Sequence, residues 1–390
     1  MTVPEGKPVS AGYGRIVIEE EEEEIPTTKG SVKLITMDEV AKHNTIKDIW
    51  IIINNKVYDT TDYLDLHPGG VNSILINGGA DATDDFFAIH SSKANKMLDK
   101  FYVGDLDLSS IKKSETVHDE VRLDPKTGRP LALDPKKKLP FKLQAKAILS
   151  HDSFLLDFAL QSSEHILGLP TGQHVFLSGK VNGESVMRPY TPISSNHDVG
   201  KVQFVIKAYK PCSAFPKGGK FSQYLDSLQI GDTIEMRGPV GEFDYLSDGK
   251  YFIHSEEHFS SCFNMLAGGT GITPVMQIAA EILRHPEDKT KISIIYGCRT
   301  EADILMRSTL DEWAQQYPDR FKVHYILSND EPTNWEYSIG YMNKELFEAH
   351  LYHADDHVHN LLCGPPLMLE KACLPTLFEL GHKESRIFTF

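Results

Sequence analysis

The spacing of apolar positions divides the chain into three blocks of different texture. In the first, residues 33–106, apolar runs on either side of Asn54 and Asn55 predict two short strands joined by a tight turn. Thr36 followed by Met-Asp-Glu is typical of a helix start. Helical stretches are predicted on both sides of His67. This block therefore predicts a small globular domain of short strands and helices.

The second and third blocks differ in their periodicity. Residues 139–250 hold short alternating segments, such as 174–181 and 201–209, separated by Gly, Pro and Asp, which predicts a small antiparallel β-barrel or sandwich. Residues 258–390 alternate apolar strand-like runs with helical ones such as 273–285, which predicts a parallel α/β domain. The expected fold class is multidomain, α+β and α/β, without internal repeats.

Two polar stretches precede or separate these blocks. Residues 1–32 include six consecutive glutamates, which repel one another and predict a disordered acidic tail. Residues 107–138 show neither a strand period nor a helix period, so we expect a flexible linker. A tether of about 25 flexible residues spans roughly 25–30 Å and keeps its two ends at millimolar effective concentration.

Composition and charge narrow the kinds of partner. The formal net charge of −15 over 390 residues disfavours nucleic acid or an anionic membrane and fits a basic protein surface. No apolar run is long enough to span a bilayer, and the first residues lack a secretory signal pattern. Five cysteines without a C-x-x-C pair favour reduced thiols. We therefore expect a cytoplasmic protein without a membrane anchor.

The segment LDLHPGGVNSIL, residues 64–75, interrupts an apolar run with His-Pro-Gly-Gly. Proline restricts the residue before it and glycine permits unusual backbone angles, so we expect a sharp bend that presents His67. A turn histidine without a role would explain the motif equally well. A second histidine, His90, follows 23 positions later beside Phe86 and Phe87, where a buried core histidine is the commoner outcome.

Taken together, the two histidines suit another task. Imidazoles flanked by large apolar side chains can clamp a planar macrocycle from both faces, and two protein ligands fill all six positions of a haem iron, which leaves only electron transfer. The candidate walls of such a pocket are Leu64, Leu66, Ile74, Leu75, Phe86 and Met97. Residues 34–106, with HPGG, DDFFAIHSSKA and YVGDL, resemble a cytochrome b5 domain. The resemblance implies that His67 and His90 are the axial ligands of haem b.

Three further features lie in the second half of the chain. MRPYTPIS, residues 187–194, places Arg188 and Tyr190 on one strand face as a guanidinium and an aromatic plate, although a surface arginine beside a core tyrosine is commoner. PKGGKFSQYL, residues 216–225, joins a glycine pair to a helix start that favours an anion. NMLAGGTGITPVMQIA, residues 264–279, runs from a strand through glycines into a helix, the context of a phosphate-cradling turn.

Two more motifs, GCRTEADIL and CGPPLM, each follow a predicted strand. They therefore lie at carboxyl ends of strands, where open α/β sheets bind ligands. With RPYT, GGKFSQ and GGTGITP they stand in an order that resembles the cytochrome b5 reductase branch of the ferredoxin reductase family, over residues 139–390. The resemblance implies an FAD-binding barrel over 139–250, an NAD-binding domain over 258–390, and an oxidoreductase that uses NADH.

The resemblance also implies site residues. Arg188 is expected at the FAD pyrophosphate, and Tyr190 and Thr191 near N5 of the isoalloxazine. The expected FAD-binding residues are Arg188, Pro189, Tyr190, Thr191, Val205, Ile206, Lys207, Tyr209, Gly219, Lys220, Phe221, Ser222 and Thr273. The expected NAD-binding residues are Gly268, Gly269, Thr270, Gly271, Arg299, Asp303, Cys363, Gly364, Pro365 and Met368. Thr191 and Cys363 are the expected catalytic residues, with Cys363 as an orienting group; its alternative is a small buried apolar residue.

Three details qualify this picture. Lys210 stands where related reductases carry an aromatic residue, which leaves contacts to the adenine half of FAD unassigned. Asp303 favours NADH, because a carboxylate near the adenosine ribose repels a 2′-phosphate, whereas Arg299 could pair with that phosphate. The segment HADDHVHN, residues 353–360, has metal-like spacing, but strand alternation accounts for it and a metal is not expected there.

These features predict an electron relay from NADH through FAD to haem b and on to an external one-electron acceptor, a protein or an enzyme domain. Residues 37–106 hold eleven Asp and Glu against six Lys, and residues 136–138 are all lysine, so complementary charge would speed docking of the haem domain.

The sequence leaves two candidates for the external electron acceptor. The order of the domains and residues 334–347 resemble the C-terminal half of eukaryotic assimilatory nitrate reductase, without its molybdenum domain. The alternative is therefore a haem–FAD fragment of that enzyme, which alone would not reduce nitrate. A haem sensor and an oxygen-binding flavohaem enzyme are further possibilities.

Overall fold

The computed structural model describes residues 33–111, 121–213 and 215–390, and the expected acidic tail lies outside them. Residues 33–111 form a five-stranded sheet covered by short helices, here called the N-terminal unit. Its strands, in the spatial order β1-β5-β4-β3-β2, are β1 (Leu34–Ile35), β2 (Asn44–Thr45), β3 (Asp48–Ile53), β4 (Lys56–Asp59) and β5 (Tyr102–Leu106). Its helices are α1 (Met37–Val40), α2 (Val71–Leu75), α3 (Thr83–Ile89) and α4 (Ser92–Met97), with 3₁₀ turns at Thr61–Leu66, Leu98–Phe101 and Leu108–Ser110.

Local sequence explains the ends of these elements. The Thr36 side chain accepts a hydrogen bond from the backbone N–H of Glu39, which caps α1 as the sequence predicted. Asn54 and Asn55 have φ values of 50° and 62°, so the expected tight turn joins β3 to β4.

The second unit is an antiparallel sheet of six strands, curved around an apolar core. Its spatial order is β10-β7-β6-β11-β8-β9, so that β9 and β10 are its edges. The elements are β6 (Leu139–Ile148), β7 (Ser153–Ala159), β8 (His174–Val181), β9 (Glu184–Tyr190), β10 (Lys201–Lys207), α5 (Lys220–Ser227) and β11 (Thr233–Val240). Phe141, Phe158 and Phe204 are fully buried in its centre. The fold expected from the alternating segments is confirmed, and the unit is called the barrel below.

Part of the expected flexible linker packs on the barrel instead. Leu131 bridges to Ile166, and Ala132 and Leu133 are buried in the barrel core. A period-based argument misses this contact, because a short apolar step among polar residues becomes ordered only when a neighbouring surface covers it. Residues 131–133 are therefore packed against the barrel, and residues 112–120 lie outside the described residues.

A three-stranded antiparallel sheet follows the barrel, with β12 (Phe243–Ser247), β13 (Lys250–Ile253) and β14 (Glu256–Phe259). Its aromatic side chains Phe243, Tyr245 and Tyr251 pack into the core of the third unit. This small sheet therefore joins the barrel to the nucleotide unit.

The third unit, called the nucleotide unit, is a parallel sheet of six strands in the order β18-β17-β16-β15-β19-β20. Its strands are β15 (Cys262–Gly268), β16 (Lys291–Cys298), β17 (Phe321–Leu327), β18 (Ser338–Ile339), β19 (Val358–Cys363) and β20 (Ile387–Thr389). Its helices are α6 (Ile272–Arg284), α7 (Arg307–Gln316), α8 (Lys344–His350), α9 (Pro366–Met368), a π turn at Leu369–Cys373 and α10 (Leu374–Glu379), with 3₁₀ turns at Gly269–Gly271, Glu301–Asp303 and Glu384–Arg386. The expected α/β fold is confirmed.

The strand order of this sheet creates a switch point at the carboxyl ends of two neighbouring strands. Strands β16 to β18 are added on one side of β15 and strands β19 and β20 on the other, and the carboxyl ends of the parallel strands β15 and β19 carry glycine turns. Such a switch point is where open α/β sheets bind ligands. In the described part of the chain, no helix has the length and apolarity required to cross a bilayer.

Candidate functional site

The His-Pro-Gly-Gly turn fixes one histidine at the mouth of a pocket. The 3₁₀ turn Thr61–Leu66 ends at His67, and Gly70 has a φ of +78°, which favours glycine. A Cβ on Gly69 would lie 2.9 Å from Cε1 of His67, so this position also requires glycine, for space. The bend predicted from the sequence is therefore real, and both glycines are needed to form it.

The second histidine sits at the end of a helix. Helix α3 ends at Ile89, and the backbone of His90 is extended. The Phe86 ring stacks on the His90 ring with centroids 4.4 Å apart, one helical turn back. Nδ1 of His90 lies 3.1 Å from the Phe86 carbonyl oxygen. This contact and the stacked ring hold the imidazole in one orientation.

The two imidazoles point at each other. Their Nε2 atoms are 3.5 Å apart. Nδ1 of His67 faces the Gly70 carbonyl at 3.3 Å, and Nδ1 of His90 also faces a carbonyl, so in both rings Nδ1 carries the proton and Nε2 presents a lone pair. Two facing lone pairs are the donor set of a metal held between them, and second-sphere carbonyl contacts of this kind are typical of metal-bound histidines.

This donor set fits a haem iron. Two metal–imidazole bonds of about 2.0 Å need Nε2 atoms about 4 Å apart, so an opening of roughly half an ångström would admit the ion. Burial lowers the pKa of both His67 and His90, which keeps the rings neutral and able to donate a lone pair. The predicted pair is thus brought together in the required protonation state.

Only part of the predicted pocket wall lies where it was expected. Ile74, Phe86 and Met97 line the cavity beside the histidines. Leu64 is buried in the core of the N-terminal unit, Leu75 packs against that core, and Leu66 is 70% exposed. The prediction is wrong for these three leucines, because the 3₁₀ turn before His67 and helix α2 direct their side chains away from the pocket.

A single cavity of about 1860 Å³ extends from the histidines into the other two units. The barrel contributes Pro189, Tyr190, Thr191, Val205, Lys207 and Tyr209 to its walls. The nucleotide unit contributes Gly268, Gly269, Thr270, Gly271, Thr273, Arg299, Asp303, Cys363, Gly364, Pro365 and Met368. Most residues predicted for FAD and all of those predicted for NAD therefore face one continuous space.

Some residues predicted for FAD do not face this cavity. Ile206 and Phe221 are buried in the barrel core, and the Lys220 ammonium pairs with Glu184. These differences follow from side-chain direction: on β10 the residues that alternate with Val205 and Lys207 point into the barrel. Gly219 and Ser222 act locally, since the N–H of Gly219 donates to the Tyr209 carbonyl and the N–H of Tyr209 donates to Ser222 Oγ.

Arg188 has a different partner from the expected one. Its guanidinium donates to the carbonyl oxygen of Ala88 at 2.9 Å and to that of Met187 at 2.6 Å. Ala88 belongs to α3 of the N-terminal unit, so Arg188 contacts a second unit, and it does not line the cavity.

The glycine turn after β15 is tightly built. A Cβ on Gly268 would lie 2.7 Å from Sδ of Met368, and a Cβ on Gly271 would collide with the Cys363 carbonyl. The φ of Gly269 is +55°. The turn therefore places backbone N–H groups at the start of the 13-residue helix α6, where an anion is favoured.

Asp303 and Lys207 form an ion pair across the barrel and the nucleotide unit. Lys207 Nζ lies 2.7 Å from Asp303 Oδ1 and 2.6 Å from Asp152 Oδ2. Although burial alone would raise it, the hydrogen bonds from Lys207 and Thr300 hold the pKa of Asp303 below its usual range. The carboxylate is therefore charged at neutral pH, as the predicted discrimination against a 2′-phosphate requires.

Cys363 is partly buried at the carboxyl end of β19. Burial raises the pKa of its thiol to about 12, so the sulfur is protonated at neutral pH. The side chain is suited to positioning a ligand and is a poor nucleophile, as the sequence suggested.

The N-terminal unit packs on the barrel through a charged and an apolar contact. Asp85 of α3 is buried and pairs with Arg237 and with Lys138, whose Nζ lies 2.7 Å from Oδ1. Ala88 packs with Phe176, Met187 and Val240 of the barrel. The expected approach of the terminal linker lysines to the acidic unit is seen at Lys138.

Polar backbone contacts complete this interface. Glu242 Oε1 accepts a hydrogen bond from the N–H of Val71 at 2.7 Å, and Asn72 Nδ2 donates to the Gly241 carbonyl at 2.8 Å. Val71 and Asn72 directly follow the turn that carries His67. The docking contacts therefore orient the histidine pair toward the barrel part of the cavity.

Sequence reasoning missed several residues at this site. His174 lines the cavity beside Phe176, and burial lowers the pKa of its ring to about 4. Ser73 contacts the ring of His67, with Oγ 3.0 Å from Nδ1. Phe390 reaches the cavity from beyond β20.

Within the HADDHVHN segment, His359 is fully buried in the core, and its Nδ1 lies 2.8 Å from the Tyr251 hydroxyl. Only the alternation in β8 and β19 hinted at the two buried histidines.

Comparison with known families agrees with this division of the chain. Residues 36–107 match the cytochrome b5-like haem/steroid binding domain. Residues 140–245 match the oxidoreductase FAD-binding domain, and residues 265–374 match the oxidoreductase NAD-binding domain.

The similar proteins include nitrate reductases. The NADH nitrate reductase of Volvox carteri is 42% identical over 364 residues, which are 91% of this chain and 42% of that protein. Inducible NADH nitrate reductase 2 of Glycine max is 41% identical over 389 residues, 94% of this chain and 44% of the relative. The chain thus spans less than half the length of the curated relatives that it matches.

Solved structures give the same result for the last two units. The cytochrome b5 reductase domain of Ulva prolifera nitrate reductase is 42% identical with a TM-score of 0.65, and the match covers 67% of this chain and all of that one. The CS-b5R domains of human Ncb5or are 27% identical with a TM-score of 0.54, over 65% of this chain and 69% of theirs.

Proposed function

The chain belongs to the family of cytochrome b5 reductase domains found in nitrate reductases, here joined to a cytochrome b5-like domain, and we propose that it carries electrons from NADH through FAD and haem b to an external one-electron acceptor. It is an oxidoreductase of the cytochrome b5 reductase type with haem, FAD and NAD as its cofactors. The single observation that carries the proposal is the cavity lined from all three units, with the histidine pair in one part and the glycine turns in another.

The cofactors supply the redox chemistry: flavin takes up a hydride from the nicotinamide and gives up electrons singly, and haem iron takes one at a time. His67 and His90 would hold a haem iron through their Nε2 lone pairs. With two protein ligands, such an iron would be suited to electron transfer and would leave no position for dioxygen.

The barrel residues at the cavity hold and orient the flavin. Tyr190 offers an aromatic face, and the Thr191 hydroxyl a hydrogen bond near the reactive ring. Val205, Lys207 and Tyr209, from β10 and the residues after it, complete this wall. Arg188 is suited to the pyrophosphate, since its guanidinium can exchange the Ala88 carbonyl for a charged partner that is bound more strongly.

The residues of the nucleotide unit that line the cavity are suited to binding NADH. The turn over residues 268–271 and the start of α6 favour a pyrophosphate, and Cys363, Gly364 and Pro365 border the same space. The thiol of Cys363 is uncharged, so it can pack beside the ring without attacking it. Asp303 selects NADH by repelling a 2′-phosphate.

Replacing either histidine tests this proposal. His67→Ala and His90→Ala should lose the haem absorbance near the Soret band and the NADH-dependent reduction of cytochrome c. Both should keep NADH-dependent reduction of ferricyanide, which takes electrons directly from the flavin. His353→Ala, at an exposed position, is the matched control and should keep both activities. A His67→Ala protein with a normal haem spectrum would refute the ligand assignment.

A second candidate acceptor follows from the relatives, which are nitrate reductases over 91–94% of this chain. In that case the electrons leave the haem for a nitrate-reducing centre. Because the chain alone is not expected to reduce nitrate, the test adds the separate nitrate-reducing domain of such a relative to the purified chain. NADH-dependent nitrite formation in this mixture supports the second acceptor, and cytochrome c reduction without nitrite formation supports the first.

A further inference from the structure

We propose that His197, Glu281 and His285 bind a divalent transition-metal ion of the zinc type between the barrel and the nucleotide unit. Their ligand atoms lie within 4.8 Å of one another. His197 belongs to the barrel segment between β9 and β10, whereas Glu281 and His285 lie four residues apart at the end of α6. None of the three lines the cavity described above, so the site is independent of the proposed relay.

Two of the three distances between the ligand atoms match a tetrahedral site, and the third lies within 4.8 Å. Glu281 Oε1 lies 3.4 Å from His197 Nε2 and 3.2 Å from His285 Nε2. In a tetrahedron with metal–ligand bonds of about 2.0–2.1 Å, neighbouring ligand atoms are about 3.3 Å apart. The spacing of four residues along the helix sets the distance between Glu281 and His285. The packing of the barrel on the nucleotide unit sets the distance between Glu281 and His197.

The surroundings of the three ligands support a metal. Glu287 Oε1 lies 3.3 Å from Nδ1 of His285, so a carboxylate can hold the proton on Nδ1 and leave the Nε2 lone pair for the ion. Arg284 Nε lies 3.7 Å from Glu281 Oε2, and Arg284 Nη2 donates to Ser195 Oγ of the barrel at 3.3 Å, which fixes the carboxylate at the same interface.

The chemical class follows from the donors. Two imidazoles and one carboxylate suit zinc, and with three protein ligands a fourth position remains for water. The side chain of His197 is 50% exposed, so the ion can enter from solvent. Because the ligands come from two units, the ion would bind only the assembled arrangement and stabilise it.

Calorimetric titration of zinc chloride into the full chain loaded with both FAD and haem, so that His67 and His90 are occupied, tests this site in a non-chelating buffer at pH 7. The structure predicts one ion bound, with affinity at least tenfold weaker in His197→Asn, His285→Asn and Glu281→Gln. His353→Asn, at an exposed position elsewhere, should bind as the parent does. Zinc should raise the thermal unfolding midpoint of the parent more than that of the three variants.

Two results would overturn the proposal. One is zinc binding of equal affinity in all variants, which would place the ion on other groups such as the free cysteines. The other is no binding by the parent chain, which would leave the three side chains as a hydrogen-bonded cluster only.

A separate observation concerns Ser73, and this second inference rests on the proposed role of His67 as a haem ligand. We infer that Ser73 is a positioning residue that tunes the reduction potential of the haem. Its hydroxyl donates to the Gly70 carbonyl at 2.7 Å, so its lone pair is free to accept from Nδ1 of His67 at 3.0 Å. The direct Nδ1 contact to the carbonyl is longer, at 3.3 Å.

The added hydrogen bond changes the ligand electronically. When Nδ1–H donates more strongly, Nε2 becomes a better electron donor to the iron, which favours the more positive ferric state. Ser73→Ala should therefore raise the midpoint potential, and Ser73→Thr, which keeps the hydroxyl, should restore it.

Spectroelectrochemical titration of the haem-loaded chain measures this shift. Ser109→Ala, which removes an exposed hydroxyl of the same unit, should leave the potential unchanged. An unchanged potential in Ser73→Ala would overturn this inference alone. A parent chain that binds no haem would instead defeat the proposed function.

Discussion

Each of the two facing histidines owes its state to neighbours that are close in sequence. His67 depends on a turn three residues long, and His90 on the carbonyl of Phe86 one helical turn earlier. The carbonyl that accepts from Nδ1 differs between the two histidines, yet both contacts leave Nε2 unprotonated and directed at the other ring. A haem site of this kind is therefore built from local contacts, and the fold adds the apposition of the two.

Asp303 sets the choice of nucleotide in this account. Asp303→Asn removes the charge that repels a 2′-phosphate, while Asp152 keeps Lys207 in place. The ratio of kcat/KM for NADPH to that for NADH should rise about tenfold or more, which corresponds to about 1.4 kcal/mol. Steady-state kinetics with ferricyanide measure this ratio. Asp152→Asn removes the other partner of Lys207 and should leave it unchanged, and an unchanged ratio in Asp303→Asn would exclude Asp303 as the determinant.

His359 gives the chain a defined sensitivity to acid. Its ring is fully buried, Nε2 has no hydrogen-bond partner among the described residues, and burial lowers the pKa of the ring to about 3. Since the unfolded chain has a pKa of about 6.5 at this residue, its contribution to stability is complete above that pH and is lost as the pH falls toward 3. At pH 5 the loss is about 2 kcal/mol.

His359→Gln should remove this part of the pH dependence. The fall in thermal unfolding midpoint between pH 7 and pH 5 should be smaller in this variant than in the parent, and the exposed His353→Gln should behave as the parent does. Equal falls in all three proteins would show that His359 does not titrate on unfolding.

At this scale, the sequence predicts residue types at motifs better than side-chain direction. The histidine pair, Tyr190, Thr191 and the glycine turn lie where the motifs indicated. Leu64 and Leu66 do not, because a 3₁₀ turn has a different period from the helix that an apolar run suggests. Arg188 faces a neighbouring unit, which no local pattern reveals.

At the scale of elements, α3 links the histidine pair to the barrel. This seven-residue helix ends at Ile89, directly before His90, and carries Asp85, which is buried against Arg237 and Lys138. A buried carboxylate between two cations is costly to break, since removal of one partner of a buried pair typically costs about 3–5 kcal/mol. The helix therefore couples the docking of the N-terminal unit to the position of one ligand.

Asp85→Asn should weaken docking rather than folding. Without the carboxylate, Arg237 regains water only if the N-terminal unit moves away, so electron transfer from flavin to haem should slow at least tenfold. Ferricyanide reduction should be unaffected. Rapid mixing with NADH and observation of the haem band measures the rate, and Asp84→Asn, one residue away on the exposed side of α3, should match the parent. Equal rates in both variants would show that the ion pair does not hold the docked state.

Strands and helices with a clear period could be predicted from the sequence, as β10, β16 and α6 illustrate. The packing of residues 121–138 could not, because Ala132 and Leu133 are short apolar interruptions whose burial depends on the barrel surface. The docking of the N-terminal unit could be expected from charge, but its use of a buried ion pair depends on the tertiary structure.

At the scale of the whole molecule, three units surround one cavity, and each contributes residues suited to one redox cofactor. Under the proposed function, electrons would pass between the three cofactors within this cavity, without a diffusing intermediate. The haem pair opens toward the barrel, so delivery to an external acceptor competes with docking for the same face of the N-terminal unit.

The central claim, that electrons pass within one chain from the flavin to a haem held by His67 and His90, is tested by anaerobic rapid mixing of the FAD- and haem-loaded chain with NADH. The observable is the rate of haem reduction at several protein concentrations. The account predicts reduction with a rate that is independent of protein concentration and that changes little with added salt, because the docking ion pair between Asp85 and Arg237 is buried and only weakly screened. A rate proportional to protein concentration, or a haem that stays oxidised while the flavin is reduced, would contradict it.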